Sequence, residues 1–159
     1  THCAVSAGGN DVLLGYGLER VLRDPTTFVR DKLPEIVESY VHMVEQLVAA
    51  GPKVILVSLY IPCVTQPSMW LRGGETLRSS GAEPGLRVLI GKVREDMIEA
   101  AAARFSLPVA NLAGTLDPEN PAHYREMVEP SQAGGQRIAA LLAHIAMHHR
   151  WGEGRAAVY

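Results

Sequence analysis

Gly8-Gly9-Asn10-Asp11 is the stretch of this sequence whose residue types and spacing are best suited to chemistry. Two adjacent glycines let a backbone turn sharply and come close to a ligand. Asn10 offers a side-chain amide as a hydrogen-bond donor, and Asp11 can accept bonds from the turned backbone. The residues just before, His2 to Ala7, read as a short buried strand. In an open α/β sheet, ligands bind at the carboxyl ends of the strands. Other candidates carry less. His144 and His148 stand one helical turn apart, but two imidazoles without a third partner make a weak site, so no metal is expected. Ser6, Ser58 and Ser131 lie outside any Gly-x-Ser-x-Gly elbow. Gly8-Gly9 also lacks the Gly-x-Gly-x-x-Gly spacing of a dinucleotide site, and no cofactor is expected.

The elements that must position this turn follow from the hydrophobic pattern. Val29, Leu33, Ile36, Val37, Tyr40, Val44, Leu47 and Val48 recur at three- and four-residue steps, which predicts a long helix capped by Thr26 or Thr27 and ending at Gly51-Pro52. Lys53 to Ile61 is a near-continuous, β-branched apolar run, predicting a strand buried on both faces. Residues 63–85 are rich in Gly, Pro and Ser around Met69-Trp70-Leu71; a connection this long is read as a lid or substrate-side wall, with Trp70 facing substrate, or as a flexible insertion. A second helix is expected over Leu86–Phe105, then a short strand over Val109–Leu112. Ser131 is the expected N-cap of the last helix, and the tail Trp151–Tyr159 is expected to be loosely held. Alternating strands and helices mean a parallel sheet covered by helices, here of about three strands.

Bulk properties narrow the function classes. A chain of 159 residues with 47% hydrophobic and 20% charged residues is read as one globular α/β domain, residues 1–159. The net charge of −2 gives no general attraction to nucleic acid or anionic membrane. No apolar run reaches the roughly 20 residues that span a bilayer. Cys3 and Cys63 read as buried free thiols rather than a disulfide framework. Nothing in the composition fixes a compartment.

Gly8-Gly9-Asn10-Asp11 resembles the third sequence block, Gly-x-Asn-Asp, of the SGNH hydrolases, also called GDSL-type esterases and lipases. Glu126-Met127-Val128-Glu129-Pro130-Ser131-Gln132-Ala133-Gly134-Gly135 falls where that family has its fifth block, Asp-x-x-His-Pro followed by a small polar residue and a glycine near the start of the last helix. The resemblance runs over nearly the whole chain, in the right order. It implies a flavodoxin-like fold with helices on both faces of a parallel sheet, of which this chain matches the second half. It also implies a serine acyl-enzyme mechanism in which Gly8 and Asn10 supply oxyanion donors, beside substrate-contacting Gly9 and Asp11. Two departures stand out. The family's Gly-Asp-Ser nucleophile block belongs upstream of Thr1, and Glu129 occupies the place of the fifth-block histidine. A Glu-Pro-Ser variant with a His-Tyr pair upstream is similar to what His123-Tyr124 presents. His123 is then the replacement base, with Glu126 or Asp117 to orient it.

The expected function is therefore the C-terminal part of an ester or thioester hydrolase acting on a small-molecule or lipid ester. The missing partner would be an N-terminal segment of the same protein, and the isolated 159 residues are expected to be inactive. One alternative is a degenerate, non-catalytic hydrolase-like domain that binds or scaffolds. Another is a flavodoxin-like domain that holds a phosphate or nucleotide at the Gly8-Gly9 turn.

Overall fold

The computed structural model describes residues 1–9, 21, 24–63, 65–66 and 83–159. Asn10, Asp11 and Trp70 lie outside the described residues, as does most of the 63–85 connection. Four strands, β1 (His2–Val5), β2 (Lys53–Val57), β3 (Pro108–Ala110) and β6 (Ala157–Val158), form one sheet in that order. Every pairing within it is parallel. A separate antiparallel pair, β4 (Tyr124–Glu126) and β5 (Glu129–Pro130), stands apart from the sheet.

The central strands β2 and β3 are buried on both faces, whereas β1, expected as a buried strand, buries only Val5 fully and leaves His2 and Ala4 exposed at the sheet edge; β2 shows why its sequence is a continuous apolar run. Successive side chains of a strand point to opposite faces. Val54 and Leu56 enter one core with Val5 and Val109, whereas Ile55 and Val57 enter another with Ala110. Burying each such side chain is worth roughly 1.5–3 kcal/mol. The first core is closed by residues 25–49 and 83–105, through Phe28, Tyr40, Val44, Leu89, Val93 and Met97. The second is closed by the last helix, through Ile138, Leu141, Leu142 and Ile145. Helices therefore cover both faces, as in a doubly wound α/β arrangement.

Residues 25–49 comprise α1 (Pro25–Thr27), a π segment (Phe28–Lys32) and α2 (Leu33–Ala49). The cap is Asp24, whose carboxylate accepts from Thr27 N at 3.0 Å, two or three residues before the expected Thr26 or Thr27. Pro34 has no N–H to give the preceding turn, and its ring crowds the carbonyl four residues back. The chain widens there, and Leu33 N donates to the Phe28 carbonyl five residues earlier. Residues 83–105 repeat the plan: α3 (Glu83–Val93), a π segment (Arg94–Glu99) and α4 (Ala100–Phe105), stopped by Ser106 in the left-handed region at φ 56°. The short helix α5 (Leu112–Thr115) leaves β3, a 3-10 turn (Pro121–His123) leads into β4, and α6 (Gln132–His148) follows β5.

The expectation of about three strands is corrected by β6. Tyr159 N donates to the Val109 carbonyl, and Asn111 N donates to the Tyr159 carbonyl, both at 2.9 Å. The tail is also held by side chains. His149 Nδ1 lies 3.0 Å from the Tyr159 hydroxyl, and the Trp151 ring meets those of His149 and His2 edge-on. The expected loose tail is thus a docked strand. The strand order advances in one direction while the crossover helix changes face, so the last crossover has the opposite hand to the first two. Such connections are rare, and here one delivers only a two-residue edge strand.

Candidate functional site

Parallel strands bring all their carboxyl ends to one rim, and Gly8-Gly9 and the 123–130 loop both lie there. Gly8 follows β1 with φ 92°, a conformation that glycine adopts at little cost. It is buried and tightly packed: a Cβ there would lie 2.4 Å from Met97 Cε. Gly9 sits against the chain leaving β2, where a Cβ would meet Leu59 Cδ2 at 3.2 Å.

The next residue along that same chain holds the second block. The Tyr60 hydroxyl donates to the Val128 carbonyl. Cys63 N donates to the Met127 carbonyl at 2.9 Å, and the Tyr124 hydroxyl donates to the Ile61 carbonyl at 2.8 Å. Gln66 adds a bond from its amide to the Pro121 carbonyl at 3.0 Å. Leu59 and Tyr60 are therefore the joint between the two blocks. Ser58, buried in an otherwise apolar run, accepts from Leu112 N at 2.9 Å and so ties β2 to the start of α5. The sequence signal for these roles was faint: one polar residue ending an apolar run, and two tyrosines without periodicity.

The 117–135 stretch is folded on itself. Ser131 caps α6, its hydroxyl accepting from Gly134 N at 3.1 Å and donating to the Ala122 carbonyl at 2.5 Å. Ser131 N donates to the His123 carbonyl at 2.9 Å. Gly134 must be glycine for this approach, because a Cβ would lie 2.2 Å from that carbonyl oxygen. Asn120 caps the 3-10 turn, accepting from Ala122 N at 3.1 Å.

His123 is half-buried, and its ring serves this loop. Nδ1 accepts from Asp117 N at 3.1 Å. A neutral ring with an acceptor at Nδ1 carries its proton on Nε2. Nε2 lies 3.4 Å from the Asn120 amide nitrogen. In this arrangement the imidazole is a staple whose free proton is a donor; to act as a base at Nε2 it would have to give up the Asp117 bond. Glu129 is exposed and Glu126 half-buried, and the two are register partners in the β4–β5 pair.

The charge environment separates the tyrosines of the joint from ordinary ones. Burial, and secondarily the Glu129 carboxylate, push the Tyr60 hydroxyl up to about 12. Burial also raises Tyr124, helped by Cys63, Tyr60 and Asp117 and opposed by Arg87. Both hydroxyls stay protonated at neutral pH and serve as donors. Among the described residues, no cluster of three or more His, Cys, Asp or Glu side chains could hold a metal ion. No helix among them is long and apolar enough to cross a membrane.

Comparison with protein-family models, with curated proteins and with solved structures returned no match.

Proposed function

We propose that this chain is the C-terminal part of an SGNH-type serine hydrolase acting on esters or thioesters, built on the second half of a flavodoxin-like fold. The observation that carries the reading is the joint at Leu59–Tyr60: one residue touches the Gly8-Gly9 turn and the next holds the 123–130 loop. An acyl transfer needs oxyanion donors and an acid–base group around one point, and these two blocks are the candidates for each. Asn10 and Gly8 take the oxyanion role. His123 is the base whose chemistry fits, since a carboxylate removes a serine proton poorly.

The 159 residues contain no Gly-Asp-Ser, so they should not turn over p-nitrophenyl butyrate. The product of the reading frame extended upstream of Thr1 should do so and should be labelled on a serine by a fluorophosphonate. Asn10→Ala in that longer protein should lower kcat by about 100- to 1,000-fold. Turnover by the 159 residues alone, or an extended protein that the fluorophosphonate leaves unlabelled, would contradict the proposal.

One observation favours a second reading, a non-catalytic binding domain. His123 commits Nδ1 to its own loop, and the residue in the place of the family histidine is an exposed glutamate. A His123→Gln variant discriminates between the two. The binding reading expects fold and ligand binding to persist, whereas the hydrolase reading expects the extended protein to lose activity.

A further inference from the structure

The C-terminal end of α6 lies at the rim opposite Gly8, where Trp151 meets His2 at the start of β1. Three side chains of metal-ligating type share one face there. His144, Met147 and His148 stand at i, i+3 and i+4, positions that are neighbours on a helix surface. The rings of His144 and His148 are stacked, with centroids 4.4 Å apart. All three residues are exposed, Met147 to 72%. Met147 stands outside the core that Ile138, Leu141, Leu142 and Ile145 close, so its side chain adds nothing to packing there.

One ring is already set as a ligand. His148 Nδ1 lies 2.9 Å from the His144 carbonyl oxygen. A carbonyl only accepts, so Nδ1 carries the proton and Nε2 keeps its lone pair. Metal-bound histidines ordinarily donate their other N–H in this way, which fixes the tautomer and the ring. Two nitrogens bound to one ion at about 2.0–2.1 Å lie at most about 4.2 Å apart, so a turn of the stacked rings about their side-chain bonds lets them share it. Met147 supplies the third partner that two imidazoles lack: a soft thioether on a flexible, unbranched chain. The charge environment favours a cation. The negative end of the helix dipole is here. From Ile138 to His148 the helix carries no Lys or Arg, and the flanking Arg137 and Arg150 are held by the Thr115 carbonyl and by Glu153. The same stretch carries no Asp or Glu, which hard cations such as Ca²⁺ and Mg²⁺ require.

We propose that His144, Met147 and His148 form a surface site for Cu⁺. Thioether ligands select this soft ion, and imidazole suits copper. Zn²⁺ can use the two rings but gains nothing from the thioether. The site is remote from Gly8 and the 123–130 loop, so it holds whether or not the protein hydrolyses anything.

Titration of the 159-residue chain with Cu⁺, anaerobically and with ascorbate present, tests this by NMR of methionine methyls and histidine rings. The Met147 methyl and the Cε1 protons of His144 and His148 should shift together and saturably, while the methyls of the buried Met97 and Met127 stay in place. Zn²⁺ should leave the Met147 methyl unmoved. Met147→Leu, at an exposed position, should keep Tm unchanged and raise the Cu⁺ concentration at which the two rings shift. His144→Ala should abolish the shift of the Met147 methyl in a folded protein. A Met147 methyl indifferent to Cu⁺, an equal shift with Zn²⁺, rings as sensitive to Cu⁺ in Met147→Leu as in the wild type, or a Met147 shift that survives His144→Ala would overturn the assignment.

Discussion

A methyl group at Gly134 would sit 2.2 Å from the His123 carbonyl oxygen, whereas one at Gly135 meets nothing within 4 Å. The pair gives a controlled measurement of how tightly the 123–130 loop lies on α6. Gly134→Ala should cost about 1–3 kcal/mol, because the loop must move off the helix start. Gly135→Ala should be neutral or stabilise by about 0.4–1 kcal/mol, since a helical site gains from a stiffer unfolded chain. Urea unfolding of both variants checks the contrast, and equal effects would remove the close contact from the account. The Ser131 cap was legible from sequence because a serine before an apolar-periodic run has one common use. The roles of Tyr60 and His123 were not. Tyr60 bonds a carbonyl 68 positions away, and local pattern carries no record of such a partner. The ring of His123 turns on one backbone N–H six positions back, which residue type alone does not specify.

Elements were legible in proportion to their length and periodicity. The long helices fall where the apolar pattern placed them, because many residues repeat one signal; β2 begins at Lys53 as expected but ends at Val57 rather than Ile61, since the chain from Ser58 on turns to bond α5 and the 123–130 loop. Caps and interruptions did not follow so simply: Asp24 won the cap over Thr26 and Thr27, and Pro34 forced a π segment inside an otherwise regular stripe. The strand β6 left almost no signal, since two residues cannot show a period. Its stability comes from Tyr159 and the ring cluster around His149. Burial lowers the pKa of His149 below its ordinary value near 6.5. The unfolded chain then binds the proton more readily than the folded one. That share of stability is complete above pH 6.5 and is lost as pH falls through the lower folded value. The protection factor of the Tyr159 amide, its exchange rate relative to the intrinsic base-catalysed rate at each pH, should therefore fall on acidification below pH 6.5. His149→Phe, which fills the same space without titrating, should make that protection factor less sensitive to pH in the same window.

At the scale of the whole molecule, the sequence conveyed the layer plan: alternating elements, a parallel sheet and helices on both faces. It did not convey the change of face at the last crossover, which depends on where α6 finds uncovered apolar surface. Two buried tyrosines and the half-buried Tyr60 give the folded state one property in common. Tyr40, Tyr60 and Tyr124 all hold their protons more tightly than an unfolded chain does, Tyr60 up to about 12. Their contribution is fully present below pH 10 and is lost as the pH rises through the folded values. Thermal denaturation across pH 9–12, followed with tyrosinate absorbance, should give a Tm that begins to fall near pH 10 and drops further toward pH 12. A Tm unchanged across that range would argue against their burial. Glu129→Gln should lower the pH at which Tyr60 ionises, by removing a charge that opposes it.

The account depends on both sequence blocks gripping consecutive residues of the chain that leaves β2. Methyl-resolved NOE spectroscopy of the 159-residue chain measures this directly. Cross-peaks from the Leu59 methyls to the Gly9 α-protons, together with cross-peaks from the Tyr60 ring to Val128, are the expected result. Absence of either set, with the rest of the sheet intact, would contradict it.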